Sequence, residues 1–384
     1  MGSSGMTNQK MESEKILSLF QSIFEGKNPP ALTWDTLPSN GHLQTWIYSN
    51  FRSGLPEDIQ KKAQQTYYKF VLADMRRKTS MEMVKKILDQ AGISFCFLKG
   101  AELAYHYYPD PVLRYSIDLD LLVKEEDIAK AFQLISAAGW IPKHDFHDLE
   151  GKHLPELRRK NFCTVEIHKH LFKGTPDENQ KLMALCHANH LPPELLLAHL
   201  LYHAFYHHHW NNALKTVLDI GMIFRNATVD PEHFQNIAKE FHLEGLLEAV
   251  LASFPECYPA EWRSAFPVGS LSERAIRAIR ALALEQDQLL AGIANKESNF
   301  IANHAMSSSE KVIQERLSKI SPSMLRAIYQ FSPRKVKILY PFLICHYLIT
   351  RGFRYFRMRQ KNIRAHHSDL ESIYREIGAI LPDP

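Results

Sequence analysis

What most constrains this chain is a change of hydrophobic period at residue 93. Before it, apolar residues recur at helical spacing. Ile16, Leu19, Phe20, Ile23 and Phe24 form one stripe that Pro29-Pro30 ends, and Tyr67, Phe70, Val71, Met75, Met83, Val84, Ile87 and Leu88 continue the pattern through 57–90. Then Ile93-Ser94-Phe95-Cys96-Phe97-Leu98 runs unbroken between Gly92 and Gly100, which predicts a buried strand. Residues 101–108 read as a short helix closed by Pro109-Asp110-Pro111, Ile117 to Val123 as a second strand, Ile128 to Ala138 as a helix stopped by Gly139, and Cys163 to His168 as a third strand. From Pro192 onward the long segments are helical, most apolar at 194–206, 213–224, 243–253 and 335–350. The chain therefore divides into a helical region 6–90, an α/β core 91–175 and a helical domain 176–384. A core so small needs flanking helices to cover its sheet.

Composition excludes several alternatives. At 45% hydrophobic and 23% charged, the 384 residues suit a soluble globular chain of two or three domains, not a disordered, collagenous or coiled-coil one. Cys96, Cys163, Cys186, Cys257 and Cys345 have no C-x-x-C spacing, so a zinc ribbon or disulfide framework is not expected and a reducing compartment is. Met1 to Gly5 reads as an expression remnant before Met6, followed by a polar stretch without a secretory core. The longest apolar run, Ile338 to Thr350, is thirteen residues and contains Pro341 and His346, short of the ~20 a membrane helix needs. A cytoplasmic, soluble protein is expected.

The chemistry concentrates in the α/β core. Asp118 and Asp120 sit two apart on a strand, so both point to one face. Carboxylates this close repel unless a cation lies between them, and Mg²⁺ takes such pairs together with substrate phosphates. Glu166 on the third strand could complete a two-metal clamp. Gly100 closes a strand and opens a helix, where backbone N–H groups can face a triphosphate. Lys99 and Arg114 are the nearest fixed cations. Each could neutralise triphosphate, or Lys99 could face solvent and Arg114 could pair with Asp110 or Asp118. His168, two residues past Glu166, could orient that carboxylate, assist the acceptor or serve the fold.

The run Leu98-Lys99-Gly100-Ala101-Glu102-Leu103-Ala104, then Tyr107-Tyr108-Pro109-Asp110-Pro111, Arg114, Asp118-Leu119-Asp120-Leu121-Leu122-Val123, Gly139 and Val165-Glu166-Ile167-His168 resembles the bacterial uncharacterised nucleotidyltransferase family, part of the DNA polymerase β-like superfamily. The similarity is specific over 93–170 and looser through Leu195 to Asp219. It implies an α+β fold: a small mixed-sheet nucleotidyltransferase core between N- and C-terminal helical regions. It also implies that Asp118, Asp120 and Glu166 bind the metal, expected to be Mg²⁺ or Mn²⁺, and that the Gly100 turn holds the triphosphate of an NTP; Lys99, Ala101 and Arg114 are read beside that turn as nucleotide-binding candidates. One departure is Ala101, which stands where the superfamily usually has Ser or Gly; the backbone can still donate. The expected reaction moves an NMP to a hydroxyl or phosphate on a peptide, protein, small molecule or RNA end. The alternatives are glycosyl transfer from a nucleotide-sugar and a catalytically inactive nucleotide-binding or scaffold protein.

Two further features stand outside this core. His199, His203 and His207 fall at i, i+4 and i+8, but Leu200, Leu201, Phe205 and Trp210 make this an ordinary packed helix rather than a metal site. His203 is expected to reach the cleft; His147 and His153 are weaker candidates. Nine of the Lys/Arg fall in 331–364 without one Asp/Glu, so this segment supplies the whole +4 excess. Within it, 351–359 interleaves cations with aromatics. The favoured reading is a packed helix with a solvated cationic face; nucleic acid, an anionic membrane surface or an acidic protein are the alternative partners.

Overall fold

The computed structural model describes residues 3–25, 40–143, 154–172, 189–267, 272–284 and 368–381, with isolated positions between them. The segments 289–311, 338–350 and 351–359, and His147 and His153, lie outside the described residues, apart from positions 302, 339, 340 and 343. The fold is α+β, with one five-stranded mixed sheet between helices that precede and follow it.

Three helices lead in: α1 (Ser3–Glu25), α2 (Gly41–Phe51) and α3 (Glu57–Gln90). The stripe Ile16, Leu19, Phe20, Ile23 and Phe24 is buried as its spacing requires. Helix α1 also extends back to Ser3, through residues that the sequence reads as an expression remnant. Asn40 caps α2, its side chain accepting from the N–H groups of His42 and Leu43 at 3.0 and 3.3 Å. Just past the end of α3 lies Gly92, whose φ of 68° suits glycine. The Gly92 N–H donates to Asp89 O at 3.1 Å and the Ile93 N–H to Leu88 O at 3.0 Å, so the chain reverses directly into the first strand.

The sheet order is β1-β2-β5-β4-β3. Its strands are β1 (Phe95–Phe97), β2 (Asp118–Val123), β3 (Ile141–Pro142), β4 (Leu157–Arg158) and β5 (Thr164–His168). Helix α4 (Lys99–His106) joins β1 to β2, and α5 (Ile128–Ala137) follows β2. The pair β3/β4 is too short to leave an alternating pattern, which is why only three strands were expected. Strands β2 and β5 run parallel with Asp118 opposite Thr164, Asp120 opposite Glu166 and Leu122 opposite His168.

This register separates two faces. Leu119, Leu121, Val165 and Ile167 pack with Phe95 and Phe97, with Val84 and Leu88 of α3, and with Ala131, Phe132 and Ile135 of α5. Burying each of these aliphatic side chains contributes ~1.5–3 kcal/mol. On the opposite face Cys96, Leu98 and Leu122 join the larger helical core. That core includes α6 (Pro193–Tyr202), α7 (Ala213–Asn226), α8 (Pro231–Glu240) and α9 (Leu246–Ser253). The helices α10 (Ala260–Ala265), α11 (Glu273–Leu284) and α12 (Ser368–Gly378) follow. Among the described residues no helix is long and apolar enough to cross a membrane.

Candidate active site

The alternation that buries one face of β2 and β5 sets Asp118, Asp120, Glu166 and His168 together on the other. Asp120 lies at the centre and is 2% exposed. Its Oδ1 accepts from Lys99 Nζ at 2.7 Å and stands 2.7 Å from His168 Nε2. His168 lies 3.9 Å from Glu166 Oε2, so its close partner is Asp120 rather than Glu166. The ligand atoms of Asp120, Glu166 and His168 all lie within 4.8 Å of one another, while Asp118 flanks this trio one step along the same face.

The charges are strongly coupled. Burial alone would raise the Asp120 carboxyl, but the Lys99 ammonium and the His168 contact overcome it and hold it well below the usual carboxylate range. Burial would lower the Lys99 ammonium, but Asp120, then Glu166 and Asp118, raise it instead. Asp118 is pushed up by burial and by the Asp120 charge. A carboxylate disfavoured by its neighbour is one a divalent cation would relieve. Asp120, Glu166 and His168 form a donor set that could hold a divalent cation, with Asp118 beside it on the same face.

Lys99 reaches Asp120 from a left-handed backbone, φ 49°, which costs a non-glycine residue about 1 kcal/mol. Its side chain is 13% exposed, so it faces the acidic centre and not solvent. At the next residue a Cβ on Gly100 would come within 2.5 Å of Ser116 Oγ, so only glycine lets the two chains approach this closely. That contact sets a hydroxyl against the turn from the β2 side, where Ala101 supplies none.

Arg114 is buried and tied to α7. Its Nε and Nη2 donate to Asp219 Oδ1 and Oδ2 at 2.6 and 2.8 Å, and its Nη1 to Tyr115 O at 2.9 Å. Its carboxylate is thus Asp219, not Asp110 or Asp118, a pairing across 105 residues that local spacing could not reveal. Tyr108 donates to the same carboxylate at 2.7 Å. Arg77 of α3 donates to Arg114 O at 2.6 Å and clamps the loop from behind.

Helix α6 ends at Tyr202 and the chain continues as a π-helical segment, His203–His207. His199, His203 and His207 still follow one another, with ring centroids 6.2 and 5.6 Å apart, and the wider turn brings the His203 and His208 rings to 4.4 Å. Burial, then the charges of Lys99 and His208, lower His203 well below its ordinary value. The Lys99 charge thus reaches His203. Burial, Lys215 and Lys99 likewise push His208 down to about 4.

Lys215 of α7 escaped the sequence reading. Burial and the Arg114 charge push it down to about 8, although Asp219 and Asp118 pull it up. Its one signal was a lysine four residues before Asp219 on a largely apolar helix.

Comparison with known sequences gives the chain a family. The model of a family described as uncharacterised nucleotidyltransferase matches residues 43–259. That span contains Lys99, Gly100, Arg114, Asp118, Asp120, Glu166, His168, His203, Lys215 and Asp219. No curated protein and no solved structure matches the chain.

Proposed function

This chain belongs to the uncharacterised nucleotidyltransferase family, and from that premise we propose that it moves an NMP from an NTP to a hydroxyl or phosphate acceptor at the acidic face of β2 and β5. The observation that carries the reading is the parallel register that sets Asp120 beside Glu166 with Asp118 on the same face. Asp118, Asp120 and Glu166 would hold Mg²⁺ or Mn²⁺. When bound, the cation would lower the pKa of the acceptor and offset charge on the departing pyrophosphate.

The chain's own residues do the rest. Lys99 exchanges its ion pair with Asp120 for the triphosphate when the carboxylates take the cation. The backbone of Gly100 and Ala101 opens α4 toward the phosphates. Lys215 supplies a second ammonium from the α7 side. Arg114 acts as a positioning residue, because its guanidinium is already paired with Asp219 and joins the β2 loop to α7. His168 holds Asp120 in place, and His203 borders the cleft. The acceptor is a peptide, protein, small molecule or RNA end.

A nucleotide-binding protein without turnover is the second reading. The Lys99–Asp120 pair favours it, since an ammonium already balances the central carboxylate. Incubation with all four NTPs, Mg²⁺ and candidate acceptors, followed by mass spectrometry, separates the two. Adducts of NMP mass with release of pyrophosphate are expected. Nucleotide binding without product would select the second reading.

A further inference from the structure

A second cluster lies on the far part of α4. Glu102 and His106 are one turn apart and share a face of that helix, and His190 reaches them from the segment that enters α6. Each offers a ligand atom within 4.8 Å of the other two. The Glu102 side chain is 1% exposed, and its Oε2 lies 3.1 Å from His190 Nδ1. The two imidazole rings stand 3.9 Å apart at 64°. Cys186, burial and the Glu102 charge together push the Cys96 thiol up.

A fully buried carboxylate against two closely spaced imidazoles is an expensive way to finish a helix, since a buried charge needs strong compensation. A divalent cation resolves all three groups at once. In a zinc tetrahedron with bonds of ~2.0–2.1 Å, ligand atoms lie about 3.3 Å apart, close to the separation of Glu102 from His190. Two imidazoles and one carboxylate suit Zn²⁺ better than Mg²⁺, which prefers an all-oxygen shell. The cluster shares no residue with the acidic face of β2 and β5.

We propose that Glu102, His106 and His190 form a zinc site that ties α4 to the segment entering α6. Three protein ligands leave a fourth position open to water or to a neighbouring thiol. The site anchors the helix whose first turn carries Lys99 and Gly100, and the segment that leads through α6 to His203. It stands on its own ligands and holds whether or not the acidic face transfers nucleotides.

The test uses the whole chain, stripped with a chelator and dialysed. Zn²⁺ is titrated against a chromophoric competitor in excess Mg²⁺ and without nucleotide. A single tight equivalent is expected. Glu102→Gln and His106→Ala should each weaken it at least tenfold, because losing even an outer-shell partner costs 10- to 100-fold. His106 is exposed, so its removal does not threaten the fold. Glu166→Gln and His203→Ala should leave zinc affinity unchanged. The proposal fails if the wild type binds no zinc, if His106→Ala binds it as tightly, or if the loss follows Glu166 or His203 instead.

Discussion

Strands β2 and β5 present two faces built from alternate residues of the same short stretches. One face is aliphatic throughout and packs on α3 and α5. The other carries three carboxylates, an imidazole and the ammonium of Lys99. The first face is non-directional: any side chains of similar volume would fill it. The second depends on which atom meets which, so a displacement of one residue in register would empty it while sending the aliphatic set to the wrong side. The stable face thereby enforces the geometry of the reactive one.

The largest expected effect breaks the faces apart. Asp120→Asn should lower turnover ~10³-fold or more, since it removes several kcal/mol of charge stabilisation. Leu121→Ala, one residue away, should leave the acidic side chains in place but cost ~2–5 kcal/mol in urea unfolding. Comparable loss of activity in folded Leu121→Ala and folded Asp120→Asn would erase the distinction. The two aspartates should also differ from each other. Asp120→Asn leaves Lys99 buried without its carboxylate and should destabilise by ~3–5 kcal/mol. Asp118→Asn removes a carboxylate that burial and Asp120 already disfavour, and should keep or raise the melting temperature. From the sequence alone both substitutions look equally harmless to the fold.

A smaller effect sharpens the role of the cation. NTP at ~100 times its Kd should stabilise the protein by ~2.7 kcal/mol when Mg²⁺ or Mn²⁺ is present. The same shift in excess EDTA would mean that Lys99 and Lys215 hold the phosphates unaided.

The smallest concerns pH. Lys215 is pushed down to about 8, so it is charged below that pH and loses its proton as the pH rises through it. NTP affinity should therefore fall about tenfold toward alkaline pH, the value of one charge-assisted hydrogen bond. Lys215→Met should bind weakly at every pH and lose this dependence; an unchanged profile would remove Lys215 from the nucleotide site.

Much of this was legible in the residues. The period change at 93, the Gly92 and Gly139 stops, the paired aspartates on one strand and Glu166 on another are local patterns. Short-range sterics and side-chain alternation determine them. The family resemblance rests on the same stretches. The tertiary structure decided the pairings between distant segments. Arg114 meets Asp219 across 105 residues, the Asp118 charge on β2 reaches Lys215 on α7, His168 chooses Asp120 over Glu166, and His190 joins Glu102 and His106. No periodicity encodes such contacts, because each depends on how helices from opposite ends of the chain settle on one sheet. The π-helical turn at His203–His207 belongs with them. A sequence of helix-forming residues specifies a helix there, but only packing selects the wider turn that brings His203 and His208 together.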